Sequence, residues 1–468
     1  MVFSSNVFLF MFLPCVILIY YAVKWNRTLG NIFLTLASLF FYAWGEPKFV
    51  LVMMASIFAN WLFGLWAKKA RDSQKSARAC MAVMAVFNLG LLGVFKYLTF
   101  ALRSINAAFG AGLTVPEIAL PIGISFFTFQ AMSYVIDVKR GKGEAQKNLL
   151  NVALYISFFP QLIAGPIVRY QTVAHDILNR HETLSDAAAG AYRFLKGLCK
   201  KVLIANNVAI IADTAWSLGK GELSVATAWF GACAYLIQVY FDFSGYSDMA
   251  IGLGKMFGFR FLENFDYPFL CKSVAGFWRR WHISLCSWFR DYLYIPLGGS
   301  RVSTPRLLFN MFMVWSLTGL WHGAAWTYFL WGCGFYVMLV IERFTGLGEY
   351  MEKKPLGHFY SLLMVTVLTV MIRCTDMGNA KNFYGAMIGL GGGGLFDGTA
   401  LVLIKEYGLF FLASIICSLP VGRFFVEKLH VPDAAVRICG AVIIAAATIV
   451  SISYIATDSY NPFIYFNF

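Results

Sequence analysis

The residue with the most to offer chemically is His322, in the segment Gly319-Leu320-Trp321-His322-Gly323-Ala324-Ala325-Trp326. It lies near the middle of a run that carries no formal charge between Arg306 and Glu342. An ionisable group at bilayer depth is costly, so its presence there is a functional hypothesis by default. An imidazole with an ordinary pKa near 6.5 is neutral around pH 7 and can remove a hydroxyl proton. The competing reading is a packing histidine whose nitrogens satisfy neighbouring helices, and on position alone the two weigh equally. Upstream, His282 follows Phe277-Trp278-Arg279-Arg280-Trp281. Guanidinium groups match phosphates well, so Arg279 and Arg280 with Trp278 and Trp281 could clamp a phosphate-bearing donor such as coenzyme A or phosphopantetheine. The same alternation of cations and aromatics suits a helix lying among lipid headgroups, and that anchor reading is the better supported of the two.

Other titratable residues carry less. Asp242 and Asp248 in Asp242-Phe243-Ser244-Gly245-Tyr246-Ser247-Asp248 could suggest acid–base work or a metal. At the expected end of a span, capping and helix pairing are cheaper explanations, and the structural reading is favoured. His175 and His181 are off the i, i+4 spacing that would place both on one helix face for a metal, and are expected at the surface. The ten cysteines include no CxxC and no zinc-like Cys/His spacing, so they read as small buried hydrophobes. Gly389 to Gly394 is glycine-rich but lacks the strand-to-helix setting of a phosphate loop and reads as a bend.

The elements that must position these residues are membrane helices. Hydrophobic residues make up 59% of the chain and charged ones only 13%, with mean hydropathy +0.66, which overrules a set of soluble domains. Lipid cannot satisfy exposed backbone groups, so helices or a closed barrel are required, and no alternating ten-residue strands are visible. The net charge of +14 could suggest nucleic acid, but in such a chain it marks cytoplasmic loops and anionic headgroups, and no nucleic-acid partner is expected. The run from Arg306 to Glu342 would measure about 52 Å as one helix, against a hydrocarbon core of roughly 30 Å. It must bend or break, most naturally around Gly319 and Gly323.

In chain order, Val2–Val23 is expected as a retained first helix, since no basic segment precedes it. Thr28–Gly45 and Phe49–Ala67 form a hairpin, and the basic loop from Lys68 to Arg78 follows. The positive-inside rule puts that loop in the cytoplasm and the N-terminus outside. Ala79–Phe95 returns outward, Tyr97 to Val115 is partly embedded or interfacial, and Ile118–Ile136 comes back to a basic end. Phe159-Pro160 and Gly165-Pro166 break the run from Asn148 to Val168 into kinked or re-entrant pieces. Arg169 to Leu195 is expected on the cytoplasmic surface. Lys196 to Leu218 and Leu223–Phe241 are the next spans, and Gly258 to Arg306 holds none. Further spans are expected at His358–Arg373, Tyr407–Leu419 and Ile438–Thr457, with a less certain one around Asn382–Leu395 and an interfacial aromatic tail from Tyr460 to Phe468. The sum is an all-α polytopic membrane protein of about eleven transmembrane helices plus re-entrant and interfacial ones.

Four motifs occur in order: Phe158 to Ile167, Phe243 to Ala250, Phe277 to His282, and Gly319 to Gly323. Each is weak alone. Together they resemble the membrane-bound O-acyltransferase (MBOAT) family, and the opening Met1 to Phe10 and closing Asn461 to Phe466 are similar to its bacterial alginate O-acetyltransferase branch. The resemblance implies one domain over residues 1–468, a ring of helices around a thinned centre, and a cytoplasmic cavity meeting an opposite funnel at the histidine. His322 matches the family's near-invariant histidine and His282 the second, donor-side one. Asn264 and Asp266 lie in a stretch characteristic of the branch, with no role assigned. The implied activity moves an acetyl group from a cytoplasmic thioester, on coenzyme A or an acyl carrier protein, to hydroxyls of an extracytoplasmic polysaccharide. An SGNH-type partner outside the cytoplasmic membrane is implied as well, and neither a metal nor a permanently bound cofactor. A transporter or flippase of a glycolipid or polymer is the alternative that composition equally allows.

Overall fold

The computed structural model describes residues 1–457, and among them the chain consists of helices and connecting loops with no β-strand. The aromatic tail expected at the interface lies outside the described residues. Six helices are long and apolar enough to cross a membrane: Arg27–Gly45, Val50–Lys69, Gln74–Phe109, Leu356–Arg373, Gly398–Cys417 and Asp433–Ala456. About eleven spans were expected. The difference lies in helices such as Val225–Met256 and Thr304–His322, which carry polar residues that protein neighbours, not lipid, accommodate. Large exposed side chains such as Leu18, Leu51, Val86, Leu409 and Ile449 are what a lipid-facing surface requires, and the protein is a multi-pass membrane protein.

The chain divides into two compact units. The first comprises Met1–Phe194 with Ser247–Leu262. Its Arg27–Gly45 helix is started by Asn26, whose side chain accepts from the Thr28 and Leu29 amides, and it ends at the predicted Gly45–Lys48 turn. The helix Gln74–Phe109 runs through the point where a separate interfacial segment was expected. A π-turn at Gly93–Tyr97 absorbs the irregularity without ending it. The Pro160 break is real: Leu149–Ser157 stops at Phe158, and a short turn restarts at Phe159 with the proline in its first positions, where a missing N–H costs nothing.

The stretch from Arg169 to Leu195 buries an apolar face, with Tyr170, Val173, Ile177 and Phe194, and departs from its surface assignment most sharply at a charged residue. Arg180 is fully buried, with Nε on the Tyr20 hydroxyl at 2.9 Å and Nη1 on Asn31 Oδ1 at 2.7 Å. Its neighbour Glu182 accepts from Arg27 at 2.6 Å. Burial favours the neutral acid, but hydrogen bonds from Arg27 and Tyr20 prevail and hold Glu182 below the usual carboxylate range.

The second unit comprises Leu195–Tyr246 and the chain from Glu263 onward. Its core joins Ala234 to Phe241 of the long helix Val225–Met256 to Phe277, Trp278, Trp281, Trp331 and Phe335. Asp242 and Asp248 therefore sit within a helix rather than at the end of one. Glycine there marks close approach instead of termination: a Cβ on Gly245 would lie 2.8 Å from the Gly197 carbonyl oxygen. The span expected around Asn382–Leu395 is a short helix, Met377–Met387, followed by the glycine-rich bend. The ten cysteines are unpaired; Cys15, Cys417 and Cys439 are exposed on apolar helices rather than buried in protein, a surface where lipid accepts a thiol as readily as a core does.

Candidate active site

The uncharged run from Arg306 to Glu342 breaks where its length required. Thr304–His322 is one helix and Trp326–Thr345 the next, with Gly323 to Ala325 extended between them. Gly323 is at the break; Gly319 is not. A Cβ on Gly319 would sit 2.3 Å from the Tyr328 carbonyl oxygen, and one on Gly332 would sit 2.2 Å from that of Trp315. The two helices thus cross backbone to backbone, which only glycine permits. That crossing fixes His322, the last residue of its helix, against the returning one.

His322 is buried between Trp321 and Trp331, whose ring centroids are 5.0 and 5.1 Å away. The His282 ring is also near, at 6.3 Å between ring centroids. The two imidazoles that the sequence singled out are therefore brought together. His282 is entirely inaccessible and adopts left-handed backbone angles, φ 44° and ψ 51°. A non-glycine residue in that region costs on the order of 1–3 kcal/mol and persists only where surrounding structure enforces it.

The enforcement is visible. The Asp266 amide donates to the Arg280 carbonyl and the Ile283 amide to the Asn264 carbonyl, each at 3.0 Å, so residues 264–266 are laced to 280–283. Phe265 packs edge-on against Trp281, and Phe243 edge-on against the His282 ring at 4.5 Å. Glu342, which sequence reading treated only as the end of an uncharged run, is buried. Its two carboxylate oxygens accept from the Val274 and Ala275 amides at 2.6 and 2.9 Å. A carboxylate there satisfies amides that open the short Val274–Trp278 helix, and so ties the Trp278 segment to the helix that returns from His322.

Arg279 and Arg280 part company with the histidines. Arg279 reaches Glu352 at 2.7 Å and Arg280 reaches Asp266 at 3.5 Å, both at the surface. With Lys272, Leu270, Cys271 and Gly276 they line an open polar cleft of about 500 Å³. Lys272 belongs to the same basic, aromatic-rich stretch from Gly258 to Arg306, and the fold brings its loop beside the two arginines. Trp278 and Trp281 point the other way, into the aromatic core, and the Trp278 and Trp331 indole N–H groups are buried without hydrogen-bond partners. Neither imidazole lines the cleft. His175 is exposed beside Asp176, and His181 is exposed too. Among the described residues no three His, Cys, Asp or Glu side chains gather closely enough to hold a metal.

Depth follows from the helix that leaves the site. Trp331, against which His322 packs, precedes Glu342 on one helix by ~16 Å at 1.5 Å per residue, about half of a bilayer core. Glu342 and Val274 mark the end nearest the cleft, and Trp331 with His322 sits toward the other end of that helix, under the Trp278 ring.

Comparison with known proteins bears on what such a site does. Residues 144–348, which contain both histidines, match the model of the membrane-bound O-acyltransferase family. The chain is 39% identical to the probable alginate O-acetylase AlgI of Pseudomonas putida over the full length of both proteins. It is 34% identical to the peptidoglycan O-acetyltransferase of Helicobacter pylori, covering 84% of this chain and 80% of that protein. A teichoic acid D-alanyltransferase of Bacillus subtilis is 29% identical across 54% of this chain and 66% of its own. By name these three are acyl-transfer enzymes, and the transporter alternative is set aside. The chain belongs to the membrane-bound O-acyltransferase family and is an O-acyltransferase.

Proposed function

We propose that this enzyme takes an acetyl group from a cytoplasmic thioester and delivers it to a hydroxyl on the opposite side of the cytoplasmic membrane. The observation that carries the reading is the pair of buried imidazoles, His282 and His322, with ring centroids 6.3 Å apart and His282 two residues past Arg280, which lines the polar cleft. The attacking alcohol loses its proton to His322, its oxygen bonds to the thioester carbonyl, and the carbon–sulfur bond breaks. The thiolate then leaves as the thiol on reprotonation, so one proton moves and no redox partner is needed. His282 assists from the donor side. Arg279, Arg280 and Lys272 suit the phosphates of coenzyme A or of a carrier protein's phosphopantetheine, and the unpartnered Trp278 and Trp331 N–H groups suit the amides and carbonyl of an acyl arm threaded inward.

The names of the relatives support a polysaccharide acceptor, with alginate the first candidate. Acetyl transfer to an extracytoplasmic SGNH-type partner, which then acetylates the polymer, fits the same site because only the final hydroxyl differs. With the basic loop from Lys68 to Arg78 inside, the N-terminus is extracytoplasmic.

The test is His322→Ala in purified membranes supplied with labelled acetyl thioester. Removing a general base lowers turnover by about 10²–10⁴-fold. A folded variant that transfers acetyl at the wild-type rate removes His322 from the mechanism.

A further inference from the structure

The hydrogen bonds around His282 determine which of its nitrogens is available. Asn264 Oδ1 accepts from the Ser284 backbone amide at 3.2 Å and from the Ser284 hydroxyl at 2.8 Å. It also faces His282 Nδ1 at 3.2 Å. A backbone N–H can only donate, so it fixes the Asn264 amide with its oxygen, not its NH2, turned to this side. Nδ1 therefore meets an acceptor and must carry the ring proton. In the neutral ring the other nitrogen, Nε2, then holds the lone pair. Nε2 is buried and has no hydrogen-bond partner, while the ring is wedged by Phe243 and strained into left-handed backbone. A buried acceptor left unsatisfied at such a position costs stability that nothing structural returns.

We infer that Asn264 is a positioning residue for acyl transfer: it locks His282 in the Nδ1–H tautomer and so presents Nε2 as a proton acceptor on the donor side of His322. The inference rests on the assignment of the two imidazoles to the reaction. In chemical terms His282 Nε2 accepts a proton directly from the nucleophile or by relay from His322, and returns it to the departing thiolate; the alcohol and thioester become ester and thiol. A purely packing histidine would be as well served by either tautomer. An amide oxygen that simultaneously receives Ser284 N–H, Ser284 O–H and the ring N–H selects one.

Among the described residues, Phe243, Trp321, His322 and Asn264 lie against the His282 ring, and His322 is the titratable one of these four. That makes the pH profile of the wild-type enzyme and of Asn264→Asp the informative pair. The aspartate preserves all three acceptor contacts but places a negative charge beside Nδ1–H, which favours the imidazolium. The acid limb of kcat should move to higher pH by about one unit or more, with full turnover regained on the alkaline side. Asn264→Ala should lower kcat by about 10–100-fold while leaving the KM for the thioester unchanged, as loss of a group that orients a histidine does elsewhere. Ser284→Ala, which removes one donor and leaves Nδ1 with its acceptor, should keep the wild-type profile.

An active Asn264→Asp with an unmoved acid limb overturns the proposal. So does an Asn264→Ala whose kcat is unchanged, or whose loss is matched by Ser284→Ala; this arm decides the matter if the aspartate variant fails to accumulate. Full turnover in His282→Ala fails differently: it removes the site assignment underneath.

Discussion

At the scale of single residues, the acidic patch holds a motif side chain whose buried partner gives it a structural duty. Asp242 pairs with Lys201 at 2.7 Å, and the two side chains are 3% and 2% exposed. Lys201 is turned inward by a π-turn, Lys200–Ala205, just as Lys96 is buried in the π-turn Gly93–Tyr97. A π-turn inserts a residue's worth of rotation, which is how a lysine in a basic helix start reaches an interior carboxylate. Breaking a buried pair strands a charge, and costs about 3–5 kcal/mol, whereas replacing both partners with apolar groups is close to neutral. Asp242→Ala should therefore lose thermal stability in detergent severely, and Lys201→Met with Asp242→Leu should recover most of it. Acetyl transfer should return with the fold. A double variant that is stable yet inactive would instead give Asp242 a chemical role.

At the scale of elements, the His322 hairpin depends on three glycines with different duties. Gly323 lets the chain turn beside the Tyr328 ring, while Gly319 and Gly332 let two helix backbones touch. Gly332→Val puts a branched side chain where a carbonyl oxygen already sits, and backbone cannot give way as a flexible side chain can. The crossing must open, moving His322 relative to Trp331 and His282. Overpacking of this kind costs about 1–3 kcal/mol. The expected outcome is a lowered melting temperature and, in protein that still folds, a fall in kcat larger than Gly90→Ala produces, since a Cβ on Gly90 meets nothing within 4 Å. The necessity of a break was legible in the sequence because helix rise and bilayer thickness are fixed numbers. The division of labour between Gly319 and Gly323 was not, because a glycine at a turn and a glycine at a crossing look alike in one dimension. In the same way the acidic patch from Asp242 to Asp248 suggested the end of a span at Phe241, inside a helix that continues to Met256. The two histidines were legible as types in unusual settings; what Asn264 and Glu342 do was not, since their importance lies in partners distant in sequence. Arg180 was hidden likewise, its polar surroundings in the chain giving no sign of Tyr20 and Asn31.

At the scale of the molecule, one helix of the second unit measures the distance that the proposed reaction would bridge. Leu356–Arg373 spans ~27 Å, close to a bilayer core. Its first turn abuts the cationic cleft: a Cβ on Gly357 would strike Lys272, and Glu352 just before it lines that cleft. Its far end leads directly into Gly378, Asn379, Lys381 and Asn382, which with Trp216, Lys220 and Tyr384 line a second cleft of about 710 Å³. Two hollows at opposite ends of one membrane-length helix, with the imidazole pair buried in the same unit, fit the proposed transfer between substrates on opposite faces. The arrangement can be tested without any substrate. In a chain whose native cysteines are replaced by alanine, Lys353→Cys and Lys381→Cys each present one exposed thiol, at opposite ends of Leu356–Arg373. A membrane-impermeant maleimide should label Lys381→Cys in right-side-out vesicles and Lys353→Cys only in inside-out ones. Labelling of both from one face would mean that this helix does not cross, and the separation of donor from acceptor would fail with it. Opposite faces in the reversed order would keep the crossing but put the cationic cleft outside, where no cytoplasmic thioester could reach Arg279, Arg280 and Lys272.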